Sequence, residues 1–309
     1  MKYCLPILLS TFILIGCNAN TNQNDNDEIV VQNTQISFKD FDEKISYCIG
    51  LDHAYSAYTV YSAKDAKSKF DMDQIEAGMI DYLLGNDLRI PFESREEIFD
   101  LYLLPDGSVD ENAVSKVDAS YAIGMEEGYV LVGSLVGRGI DQVVYVDILV
   151  QGVRDGIKNL KPSVPLIEAR TEVANYYSKL NLEDGEYFLS QNATKDSVVV
   201  TETGLQYKIF KKGKGAYPNL TDSCLVHYTG RLIDGREFES TVPSQKPIQV
   251  GLLGVIPGWQ EGLQLMQEGG QYRFFMPYQL AYGEKGSGPI EPFCALVFDI
   301  ELLRIKQFK

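Results

Sequence analysis

The sequence contains a tandem duplication whose two copies are 74 positions apart. Residues 46–55 read SYCIGLDHAY, and residues 120–129 read SYAIGMEEGY. Solenoid and propeller arrays repeat with a shorter period, about 20–50 residues, and contain more copies. We therefore expect a module made of two paired units rather than an extended array. The same ungapped offset pairs four further residues with an identical residue in the second copy: Asp73, Gly78, Asp81 and Pro91.

Each copy carries the spacing of amphipathic helices. Asp71 is a predicted N-cap, and Gly85-Asn86 is a predicted helix end. Pro91 and its counterpart Pro165 each suit the first turn of a third helix. The sequence therefore predicts an all-α module. The apolar residues of the middle helix follow the i, i+4, i+5, i+8, i+9 pattern of one helical face: Ile75, Met79, Ile80, Leu83 and Leu84.

The residue composition and the hydrophobic pattern of the sequence change at Ser197. The stretch SVVVTETGLQYKIF is rich in β-branched and aromatic residues that alternate with polar ones, which is typical of strands. From there to Lys309 we expect short strands, Gly/Pro turns and one short helix at residues 259–266. This pattern predicts a separate α+β domain after the helical module.

The first residues resemble an export signal. The apolar stretch at residues 5–15 is too short to span a bilayer, which takes about 20 residues. It ends in Leu14-Ile15-Gly16-Cys17, which resembles the bacterial lipobox and implies that Cys17 is the lipidated residue. The Asn-, Gln- and Asp-rich stretch that follows has too little apolar surface to order itself. It is predicted to be a flexible tether.

Composition excludes two classes of function. The net charge of −15 and the pI near 4.6 argue against a nucleic-acid partner. The two histidines, His53 and His227, have no cysteine or carboxylate neighbours at metal-ligand spacing. We therefore expect neither a metal nor a cofactor.

These patterns give a predicted division of the chain into five parts. They are a lipoprotein signal peptide at 1–17, the tether at 18–38, helical repeat 1 at 39–110, helical repeat 2 with a connecting helix at 111–195, and the α+β domain at 196–309.

A series of short motifs in the last part resembles the FKBP-type peptidyl-prolyl cis-trans isomerases. The resemblance covers residues 198–309 and implies an antiparallel sheet wrapped on one short helix. The motifs occur in the family's order: VHYTG, DGREF, VIPGW, EGLQLM, AYG and ALVFDIEL.

The region before this domain is similar to the macrophage-infectivity-potentiator-like and FkpA-like branch of that family. The resemblance implies a helical domain that mediates dimerisation and a chaperone role. Here the S-Y-x-x-G start of the helical domain occurs twice, at Ser46 and at Ser120. Two arrangements stay open: a homodimer, or an intramolecular pseudo-dimer of the two repeats.

The resemblance also implies an apolar pocket for a proline ring. Trp259 is expected at its floor, the Ile256 N–H and the Tyr282 hydroxyl on substrate carbonyls, and Ile290 in a flap over the site. Ile248 stands where relatives carry an aromatic. The implied catalytic residues are Tyr228, Phe238, Glu239, Tyr282 and Phe298, and the implied substrate-binding residues are Ile248, Val255, Ile256, Trp259 and Ile290.

Two residues depart from the family pattern. Glu239 stands where the family has an aspartate after the motif phenylalanine, and Glu291 stands where relatives have the first proline of Ile-Pro-Pro. They suggest the alternative function, a proline-recognising chaperone or binding lipoprotein with little or no isomerase activity. An adhesion lipoprotein is disfavoured, because nothing in the repeats looks like a receptor motif.

The leading hypothesis is an isomerase that accelerates X-Pro rotation in exported proteins. Its implied partners are unfolded or nascent proline-containing polypeptides, with macrolides as implied ligands. The lipobox favours the bacterial cell envelope, with the chain anchored on the outer membrane and facing the periplasm or the cell surface. The reaction needs no nucleophile, because it only twists an amide bond over a barrier of about 18–20 kcal/mol.

Overall fold

Six helices precede the sheet in the structure, a computed structural model that describes residues 36–63 and 66–306. Cys17, the signal peptide and most of the tether lie outside the described residues. No helix among those residues is long and apolar enough to cross a membrane. The helices of the module are α1 (Phe41–Tyr61), α2 (Met72–Leu84), α3 (Arg95–Tyr102), α4 (Lys116–Gly137), α5 (Val146–Ile157) and α6 (Leu166–Ala193).

The predicted boundaries of α2 are confirmed. The Asp71 carboxylate accepts hydrogen bonds from the N–H groups of Asp73 and Gln74, which would otherwise have no partner in the first turn. Gly85 ends the helix with φ at +67°, a left-handed conformation that glycine adopts without steric strain. Local sequence chemistry therefore fixes both ends of this helix.

The two copies exchange partners. Helix α1 of the first copy packs mainly on α5 of the second, and α2 of the first copy packs on α4 of the second. Each copy therefore covers the apolar face of the other copy instead of folding onto itself. One interlocked core results.

Four glycines allow the crossing helices to touch backbone to backbone. A Cβ on Gly50 would lie 2.1 Å from the carbonyl oxygen of Leu149, and its counterpart Gly124 stands in the same relation to Ile75. Gly78 and Gly152 repeat this arrangement against the carbonyl oxygens of Tyr121 and Tyr47, respectively, again at 2.1 Å. Any larger residue would push the helices apart.

Matching hydrogen bonds connect the two copies. The Tyr47 hydroxyl donates to Asp155 Oδ2 at 2.6 Å, and the equivalent Tyr121 hydroxyl donates to Asp81 Oδ2 at 2.8 Å. The two tyrosine donors are 74 positions apart in the sequence, and so are the two aspartate acceptors, which is the spacing of the repeat. The module therefore has a pseudo-twofold axis.

The axis passes between His53 and Glu127, which occupy equivalent positions in the two copies. His53 Nε2 lies 3.2 Å from Glu127 Oε2 and 3.1 Å from the Glu127 carbonyl oxygen. Two equivalent residues can touch only next to the axis that relates them. The duplicated sequence therefore folds as a pair within one chain.

The third helices break this symmetry. Helix α3 has 8 residues and is held by a hydrogen bond from the Tyr102 hydroxyl to the Lys69 carbonyl oxygen. Helix α6 has 28 residues and continues into the sheet domain. The prolines precede these helices instead of lying in their first turns: Pro165 is the N-cap residue of α6, and Pro91 is followed by a 3₁₀ turn at Phe92–Ser94 before α3 begins.

The sheet domain is antiparallel, as predicted. Its strands are β1 (Val199–Val200), β2 (Gln206–Lys211), β3 (Ser223–Leu232), β4 (Glu237–Ser240), β5 (Ile248–Gly251), β6 (Gln271–Met276) and β7 (Leu296–Lys306). Their order in the sheet is β1-β2-β6-β7-β3-β4, and β5 also pairs with β3. The short helix α7 (Pro257–Gln264) packs against one face, where Trp259 and Leu263 are buried.

The end of the predicted tether belongs to the helical module. Ile36 packs against the module's core, and its N–H donates to Ser163 Oγ at 2.9 Å. The Phe38 ring lies 5.3 Å from the Tyr47 ring. These two residues are apolar, unlike the polar stretch before them, so packing them against the module is favourable.

Candidate active site

Four aromatic rings meet where α7 packs against the sheet. The Trp259 ring lies 5.0 Å from Tyr228 and 5.4 Å from Phe298, with interplanar angles of 85° and 88°. The Phe238 ring meets Phe298 at 5.7 Å and 83°. Edge-to-face pairs of this kind contribute about 0.5–1.5 kcal/mol each beyond the area they bury. They hold the rings in one arrangement.

Gly230 makes room for these rings. It lies opposite Phe298 in the pairing of β3 with β7 and is two residues from Tyr228, so both point to the same face of the sheet. A Cβ at this position would lie 2.6 Å from the Phe238 ring and 2.8 Å from the Phe298 ring. The glycine of the VHYTG motif is therefore required by the aromatic cluster. The sequence pattern alone does not show this role.

Thr241 is a second residue that the sequence analysis did not identify. It is buried, and its hydroxyl accepts a hydrogen bond from the Tyr228 N–H at 2.9 Å. The same hydroxyl lies 3.0 Å from His227 Nδ1. Thr241 therefore fixes the backbone that carries Tyr228, and His227 is a hydrogen-bonded strand residue.

The floor of the cluster is closed and apolar. Trp259 is 5% exposed and Phe298 is 2% exposed, whereas Phe238 and Tyr282 are half-buried at the rim. The Trp259 indole N–H is buried without a hydrogen-bond partner among the described residues. Such a group costs about 1–3 kcal/mol. The indole serves here as an apolar surface and not as a donor.

Val255 and Ile256 border the cluster just before α7 and pack against it. The Ile256 carbonyl oxygen accepts a hydrogen bond from the backbone N–H of Trp259 at 2.9 Å, in the first turn of α7. No acceptor among the described residues pairs with the Ile256 N–H. This leaves a backbone donor at the edge of the aromatic rings.

Ile290 belongs to the same cluster and comes from the loop between β6 and β7. It is 5% exposed. Its N–H donates to the Ser287 carbonyl oxygen at 3.0 Å, and the Ser287 N–H donates back at 2.8 Å. A Cβ at Gly286 would lie 2.2 Å from the Ile290 carbonyl oxygen. This tight turn places Ile290 in the buried core of the sheet domain, which also contains Trp259 and Phe298.

The exposed Glu239 carboxylate interacts with two tyrosines of the site. Burial raises the pKa of the Tyr228 phenol, and the hydrogen-bonding interaction and the charge of Glu239 raise it further. Burial and the charge of Glu239 also raise the pKa of Tyr282. Both phenols therefore stay protonated near neutral pH and can donate hydrogen bonds.

Ile248 is the most exposed of the predicted apolar site residues. It stands opposite Val226 in the pairing of β3 with β5, and it is 36% exposed. The rings of Tyr228, Phe238, Trp259 and Phe298 are in direct contact. Four further predicted residues belong to the same apolar core of the sheet domain: Val255, Ile256, Tyr282 and Ile290.

A separate cavity of about 340 Å³ lies between α6 and the turn of the β3–β4 hairpin. None of the four rings lines it. Its walls mix charged and apolar side chains from three elements, among them Arg138, Asp184 and Leu232. The aromatic cluster is the better candidate for a proline site, because a saturated ring binds best where flat apolar surfaces are fixed in place.

Two family models match the chain. A model described as FKBP-type peptidyl-prolyl cis-trans isomerase matches residues 215–303. A model described as the domain amino terminal to FKBP-type peptidyl-prolyl isomerase matches residues 116–209. The second match begins at α4 and therefore covers the second helical copy and the connecting helix.

Characterised relatives cover a similar part of the chain. The FKBP-type peptidyl-prolyl cis-trans isomerase FkpA of Aeromonas hydrophila is 39% identical over 61% of this chain and 76% of its own length. The FKBP-type 22 kDa peptidyl-prolyl cis-trans isomerase of Escherichia coli is 37% identical over 62% of this chain and 95% of its own. The outer membrane protein MIP of Legionella longbeachae is 37% identical over 61% of this chain and 84% of its own length.

Proposed function

The chain belongs to the FKBP-type peptidyl-prolyl cis-trans isomerases, and we propose that the cluster around Trp259 is the pocket in which it rotates X-Pro bonds. The family acts on proline-containing polypeptides. The observation that carries the assignment of the site is the set of edge-to-face rings from β3, β4, α7 and β7, which meet at Trp259 and Phe298.

The pocket assists the reaction by excluding water. In the planar X-Pro bond the nitrogen lone pair is delocalised onto the carbonyl oxygen, so the ground state carries more separated charge than the twisted state. Apolar walls solvate that separated charge less well than water does, which favours the twisted state. The Trp259 face receives the proline ring, and the half-buried Phe238 closes one side.

Two donors orient the substrate. The free Ile256 N–H binds one substrate carbonyl at the edge of the rings. The Tyr282 hydroxyl donates to a second carbonyl, since a phenol is protonated at neutral pH and burial raises the pKa of Tyr282 further. Because each donor holds a carbonyl while the bond between them turns, the substrate stays bound through the rotation. The same pocket is where we expect macrolides to bind.

The single tryptophan of the chain provides a test of this assignment. Trp259 is the only tryptophan, so its emission reports on the pocket alone. We expect a saturable change in emission when a short Xaa-Pro peptide is added, and none with the matched Xaa-Ala peptide. An unchanged emission with a peptide whose exchange the chain accelerates would place the reaction elsewhere.

The helical module supplies both halves of a dimer from one chain. Two observations support this proposal: the exchanged pairing of α1 with α5 and of α2 with α4, and the contact between the equivalent residues His53 and Glu127. The apolar face that a single-copy relative would cover with a second chain is covered here in cis. We therefore favour the intramolecular pseudo-dimer over the homodimer.

Light scattering on a soluble form that starts after Cys17 tests this arrangement. We expect a mass close to that of one chain, since α1 and α2 already have their partners. The result should not change over a hundredfold range of concentration. A mass near twice that of one chain would show that the repeats still engage a second copy.

The proposed location is the bacterial cell envelope, with the chain anchored through a lipid on Cys17. Support comes from the lipobox-like sequence and from the relative named outer membrane protein MIP. In this location the isomerase and its helical module would act on exported polypeptides.

A further inference from the structure

The loop that carries Ile290 is bound to the helical module by a bidentate ion pair. Glu291 follows Ile290 directly. Its carboxylate accepts from Arg138 Nη1 at 2.8 Å and from Arg138 Nη2 at 2.5 Å. Arg138 is the C-cap residue of α4, 153 positions away in the sequence. A residue of the second helical copy therefore binds the rim of the proposed proline pocket.

Arg138 is held rigidly on its own side. Its side chain is 11% exposed, and its guanidinium group lies 3.8 Å from the centre of the Tyr177 ring of α6. The planar guanidinium can stack on a ring and bind a carboxylate with two parallel hydrogen bonds, and a lysine cannot do both. Arg138 Nε is buried without a partner among the described residues. The guanidinium group of Arg138 therefore contacts Tyr177 with its face and Glu291 with both of its terminal nitrogens.

The ionic state of the pair is well defined. Burial opposes the charge on Arg138, but the hydrogen bonds and the charge of Glu291 outweigh it and raise the pKa of the guanidinium. Burial likewise opposes the charge on Glu291, yet the hydrogen bonds and charge of Arg138 lower the pKa of that carboxyl. Both groups are therefore charged at neutral pH.

The connecting helix α6 holds the same stretch of the loop. Asn181 Nδ2 donates to the Pro292 carbonyl oxygen at 3.0 Å and to Glu291 Oε2 at 3.2 Å. One turn further on, a Cβ at Gly185 would lie 3.1 Å from the Ala295 Cβ, so the helix backbone closely approaches the chain. Residues 291–295 are thus bound by two helices of the module.

A short covalent path connects this anchor to the pocket. Ile290 and Glu291 are adjacent, and the Ser287–Ile290 hydrogen bonds make the turn before them stiff. The Ile290 side chain is buried in the cluster with Trp259. A displacement of Glu291 is therefore transmitted to Ile290 within one residue.

We propose that Arg138 is a positioning residue, which holds the Ile290 loop over the proline pocket through Glu291 and so couples substrate binding to the helical module. This inference rests on the proposed function of the aromatic cluster. A loop that is already ordered loses less conformational entropy when the peptide binds, so the affinity is higher. Loss of the anchor therefore weakens binding more than it slows the rotation itself.

The test compares Arg138→Ala with Arg170→Ala in catalysed exchange of an Xaa-Pro peptide. Arg170 is a matched control, because it also forms an ion pair in the module, with Asp52, and does not contact the loop in the described structure. We expect Arg138→Ala to raise KM about five- to tenfold with kcat within twofold. Arg170→Ala should leave both unchanged. Exchanging the pair in Arg138→Glu/Glu291→Arg should recover part of the loss.

Hydrogen exchange at the Ser287 and Ile290 amides gives a second readout that does not depend on catalysis. We expect both amides to exchange at least tenfold faster in Arg138→Ala than in the wild type or Arg170→Ala. Unchanged exchange at these amides, or an unchanged KM, would overturn the positioning role. A wild-type chain that does not accelerate the peptide would instead contradict the proposed function, and the amide data would still decide whether Arg138 orders the loop.

Discussion

Replacing Gly124 with alanine should lower the free energy of unfolding by about 1–3 kcal/mol, the range of overpacked cores. The added Cβ would lie 2.1 Å from the Ile75 carbonyl oxygen and 2.8 Å from the Met79 backbone nitrogen. Both atoms belong to the backbone of α2, so no side chain can move aside. The two helices must separate, and the packing of Ile75 and Met79, both fully buried, loosens with them.

Gly133→Ala is the matched control. Gly133 lies in the same helix, and a Cβ there meets nothing within 4 Å. Alanine is favoured over glycine in a helix by about 0.5–1 kcal/mol, so this variant should be slightly more stable than the wild type. Urea unfolding of the three chains measures both effects. If Gly124→Ala and Gly133→Ala change stability in the same direction, the backbone contact between the copies is not what holds the module together.

The pairing of the two copies was predictable from sequence, but its exchanged form was not. The spacing of 74 residues and the caps at Asp71 and Gly85 predict two similar helical units. The apolar stripes would be buried equally well if α1 packed on α2 or on α5. The close approach at Gly50 and Gly124 helps to distinguish these arrangements, but helical spacing alone does not show which backbone a glycine contacts.

The pocket was largely predictable because its motifs are short and ordered along the chain. Tyr228, Trp259 and Phe298 come together as the resemblance implies. Ile248 on β5 is 36% exposed, which the motif order alone does not show. The sequence identifies Glu291 as unusual, but it cannot identify Arg138 as its partner, since that contact depends on the course of α6.

Replacing Phe238 with alanine should reduce the isomerase activity of the chain about tenfold to a hundredfold, which corresponds to about 1.4–2.8 kcal/mol of transition-state stabilisation. The Phe238 ring closes one side of the cluster against Phe298 and is half-buried at its rim. Without the ring, water reaches the twisting bond and the proline loses one wall. Because Phe238 is not fully buried, the variant should still fold.

Phe210→Ala removes the same side chain from a different part of the domain. Phe210 is 53% exposed on β2, and its ring contacts Arg273 and not the four rings. Its loss should leave the rate of isomerisation within twofold of the wild type. Unfolding measurements on both variants separate a lost pocket wall from a lost fold.

The most direct test of the aromatic pocket is therefore kcat/KM for cis-to-trans exchange of a short Xaa-Pro peptide, measured with the wild type, Phe238→Ala and Phe210→Ala under one set of conditions. We expect the wild type and Phe210→Ala to accelerate exchange equally, and Phe238→Ala to be slower by at least tenfold. Equal rates for all three folded chains would contradict the assignment of the pocket, and a wild-type rate no faster than uncatalysed exchange would contradict the isomerase itself.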